Sequence, residues 1–309
     1  MSNDGATVAS AAGDTTAGRT TAGDTTGLAL YARTAQHAAA AVIAAYSTSF
    51  GIATSLLGPR VRPHVRNIYA LVRIADEIVD GSAAEAGLSA EAQRAVLDDL
   101  EAETLTTITR GYSSNLIVHA FAATARECAI EDDLIRPFFA SMRTDLDTTT
   151  HDADSHDAYV YGSAEVVGLM CLQVFVCAGT TSPHPAEPAL VAGARRLGAA
   201  FQDVNFLRDL PQDADLLGRD YLGVDASPGS RMAVLDRIDS DLNAAADTIP
   251  YLPADCRRAV TAAHDLFAEL SHRLRQEGDT CARIRVPDAV KATIAARAAL
   301  GRPPRRMQR

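Results

Sequence analysis

The 309-residue sequence contains very little lysine, no tryptophan and few aromatic residues. Lys and Arg together number 29, yet Lys291 is the only lysine, so a P-loop lysine is excluded and no Schiff-base candidate exists outside the C-terminal end. Aromatic residues make up 5%, which argues against the stacking surfaces that bind single-stranded nucleic acid. The 39 acidic residues give a net charge of −10, which also argues against a nucleic-acid partner.

Cysteine pairs and long apolar runs are missing as well. The 5 cysteines form no C-x-x-C pair and are odd in number, which favours a reduced, cytoplasmic location. No basic stretch followed by an apolar one opens the chain, so a signal peptide is not expected. The longest apolar run, 166–179, is interrupted by Gln173 and is shorter than a membrane span. The absence of H-E-x-x-H and G-x-S-x-G argues against zinc-protease and serine-hydrolase functions.

The chain does contain a long region with the periodicity of helices. Residues 1–27 are mostly Ala, Gly, Thr, Ser and Asp, which predicts a disordered low-complexity tail. In 28–300 apolar residues recur at spacings of three and four, which predicts one all-α domain followed by a basic C-terminal tail, 301–309. Glycine and proline positions then predict helices at 28–57, 64–80, 89–109, 114–129, 132–147, 155–179, 187–210, 229–247, 253–276 and 287–300.

Two acidic segments lie within otherwise apolar helices. Asp76 and Asp80 are four residues apart, as are Asn205 and Asp209, so each pair lies on one helix face, and Asp213 extends the second set. Such pairs also arise by chance on solvated faces. Here the neighbours are mainly Ile, Leu, Val and Phe, among which a carboxylate needs a partner. Oxygen ligands from two helices suit Mg²⁺, or Mn²⁺ in its place, so a metal site is favoured, with a salt-bridge network as the alternative.

Four motifs in order along 46–300 resemble those of the squalene/phytoene synthase family, the head-to-head prenyl synthases. They are Tyr46-Ser-Thr-Ser-Phe50, Tyr69-Ala-Leu-Val-Arg73-Ile-Ala-Asp76-Glu-Ile-Val-Asp80, Tyr159-Val-Tyr161-Gly-Ser-Ala-Glu-Val-Val-Gly168, and Gln202-x-x-Asn205-x-x-Arg208-Asp209 followed by Gly218-Arg-Asp-Tyr221. A single D-x-x-x-D would be a weak signal, whereas four ordered motifs make the resemblance specific.

The resemblance implies an isoprenoid-synthase-type helical bundle around a central cavity, with the two acidic helices at its mouth. Mg²⁺ bound by Asp76, Asp80, Asn205 and Asp209 would hold the diphosphates of two prenyl substrates. The implied reaction is a prenyl transfer that joins the substrates head to head through a cyclopropyl intermediate, in isoprenoid and carotenoid biosynthesis.

The same resemblance implies roles for further residues. Those near the reacting centre are Tyr159, Arg73, Arg208 and Gln202. Those that bind substrate are Ser47, Ser49, Phe50, Tyr69, Val167 and Arg283. Each role has an alternative. Ser47 and Ser49 could hydrogen-bond the backbone of the preceding helical turn, Arg283 could belong to a solvated basic tail, and Phe50 and Val167 could simply pack in the core.

Three positions depart from the family pattern or refine it. Pro211 is expected to kink its helix near residue 207, which makes Asp213 a secondary metal ligand. Glu165 replaces a small residue and could be a cavity acid, a salt-bridge partner or a subgroup marker. Thr54 lies one turn after Phe50, where a small side chain leaves room for a longer prenyl tail.

The product expected from these features is phytoene, made from two geranylgeranyl diphosphates without NADPH. The alternatives are a squalene, dehydrosqualene or presqualene diphosphate synthase that uses farnesyl diphosphate, and a catalytically silent partner subunit with the same fold. Because the C-terminal end is basic, peripheral contact with an anionic membrane is a further expectation.

Overall fold

A computed structural model of the protein describes residues 26–147, 153–216, 228–277 and 284–307. These residues form helices and connections without strands, so the all-α prediction is confirmed. Most of the predicted tail, 1–25, lies outside the described residues. The helices are α1 (Gly27–Tyr46), α2 (Thr48–Ser55), α3 (Arg62–Asp80), α4 (Ser82–Glu85), α5 (Ala90–Arg110), α6 (Leu116–Cys128), α7 (Asp132–Asp147), α8 (Ala153–Val160), a π-helical turn (Tyr161–Glu165), α9 (Val166–Cys177), α10 (Pro188–Leu216), α11 (Pro228–Thr248), a 3₁₀ turn (Ile249–Tyr251), α12 (Ala254–Glu277) and α13 (Asp288–Ala299).

The prediction of a single helix over 28–57 is wrong, because the helix is interrupted at Ser47. This residue has an extended backbone, with φ −144° and ψ 111°. Its hydroxyl accepts a hydrogen bond from the Phe50 backbone N–H at 3.1 Å, so Ser47 ends α1 and caps α2. Apolar spacing does not reveal such a break, since the same helical periodicity resumes one residue later.

The helix predicted to end at residue 210 is longer than expected. Helix α10 continues through Pro211 to Leu216, over 29 residues in all. A proline removes one backbone hydrogen bond, and a helix of this length has enough others to continue past it.

Two hydrophobic cores flank the centre of the bundle. The first is built from α3, α5, α6, α7 and α9 and includes the fully buried Phe121, Phe138 and Phe139. The second is built from α10 to α13 and includes Leu235, Ile238 and Ile284, the last from the segment before α13. The space between these cores contains the cavities described below.

One helical stretch among the described residues, Ser155–Cys177, is long and apolar enough to cross a membrane. Its Val166, Met170 and Val174 side chains are buried in the first core. The neighbouring side, with Val167 and Cys171, lines a cavity. One face of this stretch thus packs in the core and another lines a cavity, as expected of a central helix inside the protein.

The basic C-terminal segment packs against the protein. Asn243 of α11 accepts a hydrogen bond from the Met307 N–H at 2.8 Å and donates one to the Met307 carbonyl at 3.1 Å. Arg305 and Arg306 form ion pairs with carboxylates of α12 and α11. Two of the charges on which the expected membrane contact depends are therefore paired within the molecule.

Candidate active site

A cavity of about 1080 Å³ lies between the two cores, and we call it the polar cavity. Its walls come from α2, α3, α7, α8, α10, α12, the π-helical turn, and the segment from Ile284 into α13. They bring together most of the residues named from sequence: Ser47, Ser49, Phe50, Tyr69, Arg73, Asp76, Asp80, Tyr159, Gln202, Asn205, Arg208 and Asp209. Arg283 and the side chain of Asp213 lie outside the described residues.

On α3, Arg73 is the centre of the charged cluster. Its Nη1 lies 2.5 Å from Asp76 Oδ2, and its Nη2 pairs with Glu77. Its guanidinium lies 4.4 Å from the centre of the Tyr46 ring, in cation–π geometry. Burial raises the pKa of Asp76 to about 6, with Asp80 and Glu77 adding to the rise and Arg73 opposing it. The local charge is therefore incompletely balanced, and a cation at this position would stabilise the ionised carboxylate.

On α10, an equivalent pair forms between neighbouring residues. Arg208 donates from Nε to Asp209 Oδ1 at 3.0 Å and from Nη2 to Asp209 Oδ2 at 2.6 Å. Each acidic helix therefore holds an aspartate and an arginine in direct contact. The salt-bridge alternative to a metal site is thus present on each helix, and it does not exclude a metal site formed by the same carboxylates.

The oxygen donors around the polar cavity suit the coordination of Mg²⁺. Within the described parts of the chain, no group of three Asp, Glu, His or Cys side chains could hold a metal ion alone. Mg²⁺ usually takes one or two carboxylates and completes its coordination with water and phosphate oxygens. The carboxylates of Asp76 and Asp80 on α3, together with Asp209 and the amide of Asn205 on α10, line one cavity and fit this mode.

Two hydrogen-bond donors on the cavity wall lack partners among the described residues. Arg73 Nε and Ser163 Oγ are both buried without a hydrogen bond. Because buried polar groups without partners are costly, cavity-lining donors of this kind are suited to an incoming acceptor such as a phosphate oxygen.

The hydroxyl groups at the cavity wall are linked to one another. Ser47 caps α2 and also shares a hydrogen bond with the Tyr69 side chain. Burial raises the pKa of Tyr69, while Arg73 and Ser47 oppose the rise. Tyr69 therefore stays neutral at physiological pH and keeps its O–H proton for donation.

A second cavity, of about 330 Å³, continues from the first, and we call it the apolar cavity. Six residues line both cavities, so the two spaces are contiguous: Phe50, Tyr69, Val72, Ser163, Gln202 and Asn205. Val167 and Thr54 lie on the apolar wall, as do Phe201 and Leu172. A chain that enters from the polar side therefore meets only small or apolar groups beyond these shared residues.

Four aromatic rings surround the junction, and we call them the aromatic collar: Phe50, Tyr69, Phe201 and Phe267. Phe201 and Phe267 are stacked with ring centres 3.7 Å apart. Phe50 lies 5.9 Å from Phe267 and 6.2 Å from Tyr69, measured between ring centres. The collar presents ring surfaces that attract positive charge at the point where the polar cavity meets the apolar one.

Sequence reasoning missed Lys291, which it connected only with the C-terminal end. The Lys291 side chain is 14% exposed and lines the polar cavity. Its Nζ lies 3.1 Å from Asp288 Oδ1 and 3.4 Å from Thr48 Oγ1. The only available signal was its rarity, because the segment that brings α13 to the cavity is not evident from periodicity.

The structure also distinguishes between the three interpretations of Glu165. Its carboxylate lies 2.5 Å from Arg195 Nε, and the Arg195 guanidinium lies 5.3 Å from the Tyr161 ring centre. Glu165 is therefore a salt-bridge partner that links the π-helical turn to α10, outside the walls of both cavities.

Comparison with known proteins agrees with this geometry. The family model "Squalene/phytoene synthase" matches residues 43–227, more than half of the chain. A chloroplastic phytoene synthase 3 from Zea mays is 30% identical over 210 residues, 67% of this chain and 47% of that protein. A 15-cis-phytoene synthase from a Paracoccus strain is 27% identical over 271 residues, 80% of this chain and 84% of that protein. This chain thus spans about half the length of the maize relative.

Solved structures show the same architecture. A dehydrosqualene synthase in complex with ligand superposes with a TM-score of 0.74, at 20% identity, over 88% of this chain and 98% of that one. The fold is therefore the all-α isoprenoid-synthase bundle expected from the sequence. With the family match, this assigns the class: the chain belongs to the squalene/phytoene synthase family.

Proposed function

We propose that this chain, a member of a family of prenyltransferases, condenses two geranylgeranyl diphosphates head to head into phytoene. The single observation that carries the proposal is the pair of contiguous cavities. One holds aspartates and arginines from two helices, and the other is lined almost entirely by apolar groups. A molecule with a diphosphate at one end and a long hydrocarbon at the other matches both.

The diphosphate end is assigned to the polar cavity. Asp76, Asp80, Asn205 and Asp209 would hold Mg²⁺, which supplies positive charge to the leaving diphosphate when bound. Guanidinium groups donate paired hydrogen bonds to phosphate oxygens, so Arg73 and Arg208 would exchange their aspartate partners for the substrate diphosphate. Ser47 and Ser49 complete this wall, and their hydroxyls can donate to further oxygens.

The bond changes in the proposed reaction balance without a reductant. In the first half, the C1–O bond of one substrate breaks and its diphosphate leaves. Its C1 bonds to both C2 and C3 of the other substrate, across the double bond next to the remaining diphosphate, and loses a proton. In the second half, the resulting cyclopropyl diphosphate loses its diphosphate, rearranges and loses a second proton. Two diphosphates and two protons leave in total, so NADPH is not required.

The aromatic collar is assigned to the cationic stages. Ring faces stabilise positive charge through their quadrupoles, and an apolar enclosure keeps water from trapping the cation. Tyr159 and Gln202 lie on the wall of the polar cavity, and Gln202 also faces the apolar cavity. We assign both to orienting the reacting carbons.

The choice of a twenty-carbon chain depends on Thr54. It is buried and lines the apolar cavity, close in sequence to Phe50 of the collar. Two fifteen-carbon chains would require less depth, and a bulky residue at this position would suit them better.

The test is an assay of purified protein with Mg²⁺ and either geranylgeranyl or farnesyl diphosphate, without NADPH. We expect phytoene from the first substrate and at most slow turnover of the second. Exclusive use of farnesyl diphosphate would contradict the chain length, and magnesium-dependent binding without turnover of either would indicate a silent subunit.

A further inference from the structure

Beside the polar cavity, two helices present matching pairs of side chains. On α8, His156 and Tyr159 are three residues apart, and on α10 Asp203 and Phe206 have the same spacing. The His156 Nε2 atom lies 3.3 Å from Asp203 Oδ1. The rings of Tyr159 and Phe206 lie 5.8 Å apart and line the cavity, whereas the polar pair is buried behind them.

Asp203 is held from two sides. Its side chain is 3% exposed, and Arg237 of α11 reaches Oδ2 from Nε at 3.0 Å and from Nη2 at 2.9 Å. Among the described residues, neither Asp203 Oδ1 nor His156 Nε2 has a hydrogen-bond partner. The 3.3 Å contact between these two buried atoms is therefore electrostatic, and separating them would take from the Asp203 carboxylate the imidazole that faces Oδ1, which is costly in a buried site.

Helix α8 depends on contacts of this kind. Its 8 residues are the N-terminal end of the helical stretch that continues through the π-helical turn into α9, and helix ends fray unless tertiary contacts hold them. Phe206 contacts both His156 and Tyr159 of α8, because its ring centre lies 6.0 Å from that of His156 and 5.8 Å from that of Tyr159. Together with Val160, Tyr159 and Phe206 form a small hydrophobic cluster of their own, separate from the two large cores.

We propose that the His156–Asp203 contact, anchored by Arg237, positions Tyr159 and Phe206 in the wall of the polar cavity. His156 and Asp203 are positioning residues, since the rings between them and the cavity make the contact with substrate. This inference rests on the proposed prenyl transfer. Loosening the contact would let α8 shift away from α10, and the reacting carbons would lose their orientation in the second half of the reaction.

The test compares His156→Leu with His264→Leu. His264 is an equally buried imidazole, 3.0 Å from the Asp265 carboxylate and bonded to the Leu242 carbonyl. For His156→Leu we expect a fall in kcat of about tenfold, a KM within about twofold of wild type, and more released cyclopropyl diphosphate. His264→Leu should lower the unfolding temperature without this pattern.

Two further variants separate positioning from misfolding. His156→Gln retains an N–H donor for Asp203 and should restore most of kcat and the normal release of intermediate. Asp203→Asn preserves shape while weakening both of its ion pairs, so it should reproduce the fall in kcat even if His156→Leu does not fold. Wild-type kinetics in Asp203→Asn and His156→Leu, or the same pattern in His264→Leu, would overturn the proposal.

A wild-type protein inactive on every prenyl diphosphate would refute the proposed function alone. In that event amide hydrogen exchange decides the inference. Faster exchange in α8 of His156→Leu, but not of His264→Leu, would support the positioning contact, and unchanged exchange in α8 would overturn it.

Discussion

The polar cavity and the apolar cavity share the same two helices but use opposite ends of them. Along α3, Val65 and Ile68 line the apolar cavity, and Asp76 and Asp80 follow in the polar one. Along α10, the N-terminal half lines the apolar cavity and the Asn205 region lines the polar one. Each helix thus changes from apolar to acidic along its length, and the two changes coincide in space at the aromatic collar.

The acidic end of α3 has a further electrostatic consequence. Asp80 is the last residue of α3 and Asp76 lies one turn before it, near the end where the backbone carbonyls present partial negative charge and the last turn has no basic residue. Both the helix and its side chains therefore favour cations over anions at this position. A diphosphate can bind there only if positive charge from Arg73 or a metal ion lies between it and the helix.

The largest expected effect comes from removing a carboxylate from the polar cavity. Asp76→Asn or Asp209→Asn removes a charged ligand while retaining shape, and we expect turnover to fall by about 10²–10³-fold. The matched control is Asp132→Asn, which removes an exposed aspartate paired with Arg136 one turn away on α7. Steady-state kinetics at saturating Mg²⁺ measures all three. An equal fall in the control would contradict the site assignment.

The second effect comes from shortening the apolar cavity. Thr54→Phe should lower turnover of the twenty-carbon substrate by about 10–100-fold while sparing the fifteen-carbon one. Ser55→Phe is the control, because Ser55 is the next residue of α2 and is exposed. The ratio of forty-carbon to thirty-carbon products from an equimolar substrate mixture measures the preference. An unchanged ratio in Thr54→Phe would show that Thr54 does not select the chain length.

A third, smaller effect concerns Lys291, the one lysine in the chain. Losing its charge should raise KM by about tenfold with little change in kcat, because it is placed to hold substrate charge. Lys291→Met is the test, and Lys291→Arg, which retains the charge, should stay near wild type. A fall in kcat without a change in KM would show a different role.

The smallest effect is a dependence of stability on pH in the metal-free protein. The raised pKa of Asp76, about 6 against an ordinary 3.8, means that the folded state binds the proton more tightly than the unfolded chain. Stability contributed by this group is therefore lost as pH rises from about 4 through about 6. Asp76→Asn should remove that part of the decline. Urea midpoints across this range test it, and identical slopes in both proteins would contradict it.

The sequence predicted the polar end better than the junction between the cavities. Asp76, Asp80, Asn205 and Asp209 are recognisable because carboxylates and amides stand out within apolar helices, and helical spacing places each pair on one face. Lys291 and Phe267 reach the cavity from helices distant in the chain, and periodicity does not report which helices pack together. The break at Ser47 was missed for a similar reason, since a helix cap depends on one side-chain hydrogen bond.

The division between the two cavities can be observed directly in a crystal structure with Mg²⁺ and a thio analogue of geranylgeranyl diphosphate that cannot ionise. The account predicts metal ions and diphosphate oxygens beside Asp76 and Asp209, with the hydrocarbon passing the aromatic collar and continuing beyond Thr54. A diphosphate bound away from α3 and α10, or a prenyl chain that stays outside the apolar cavity, would contradict it.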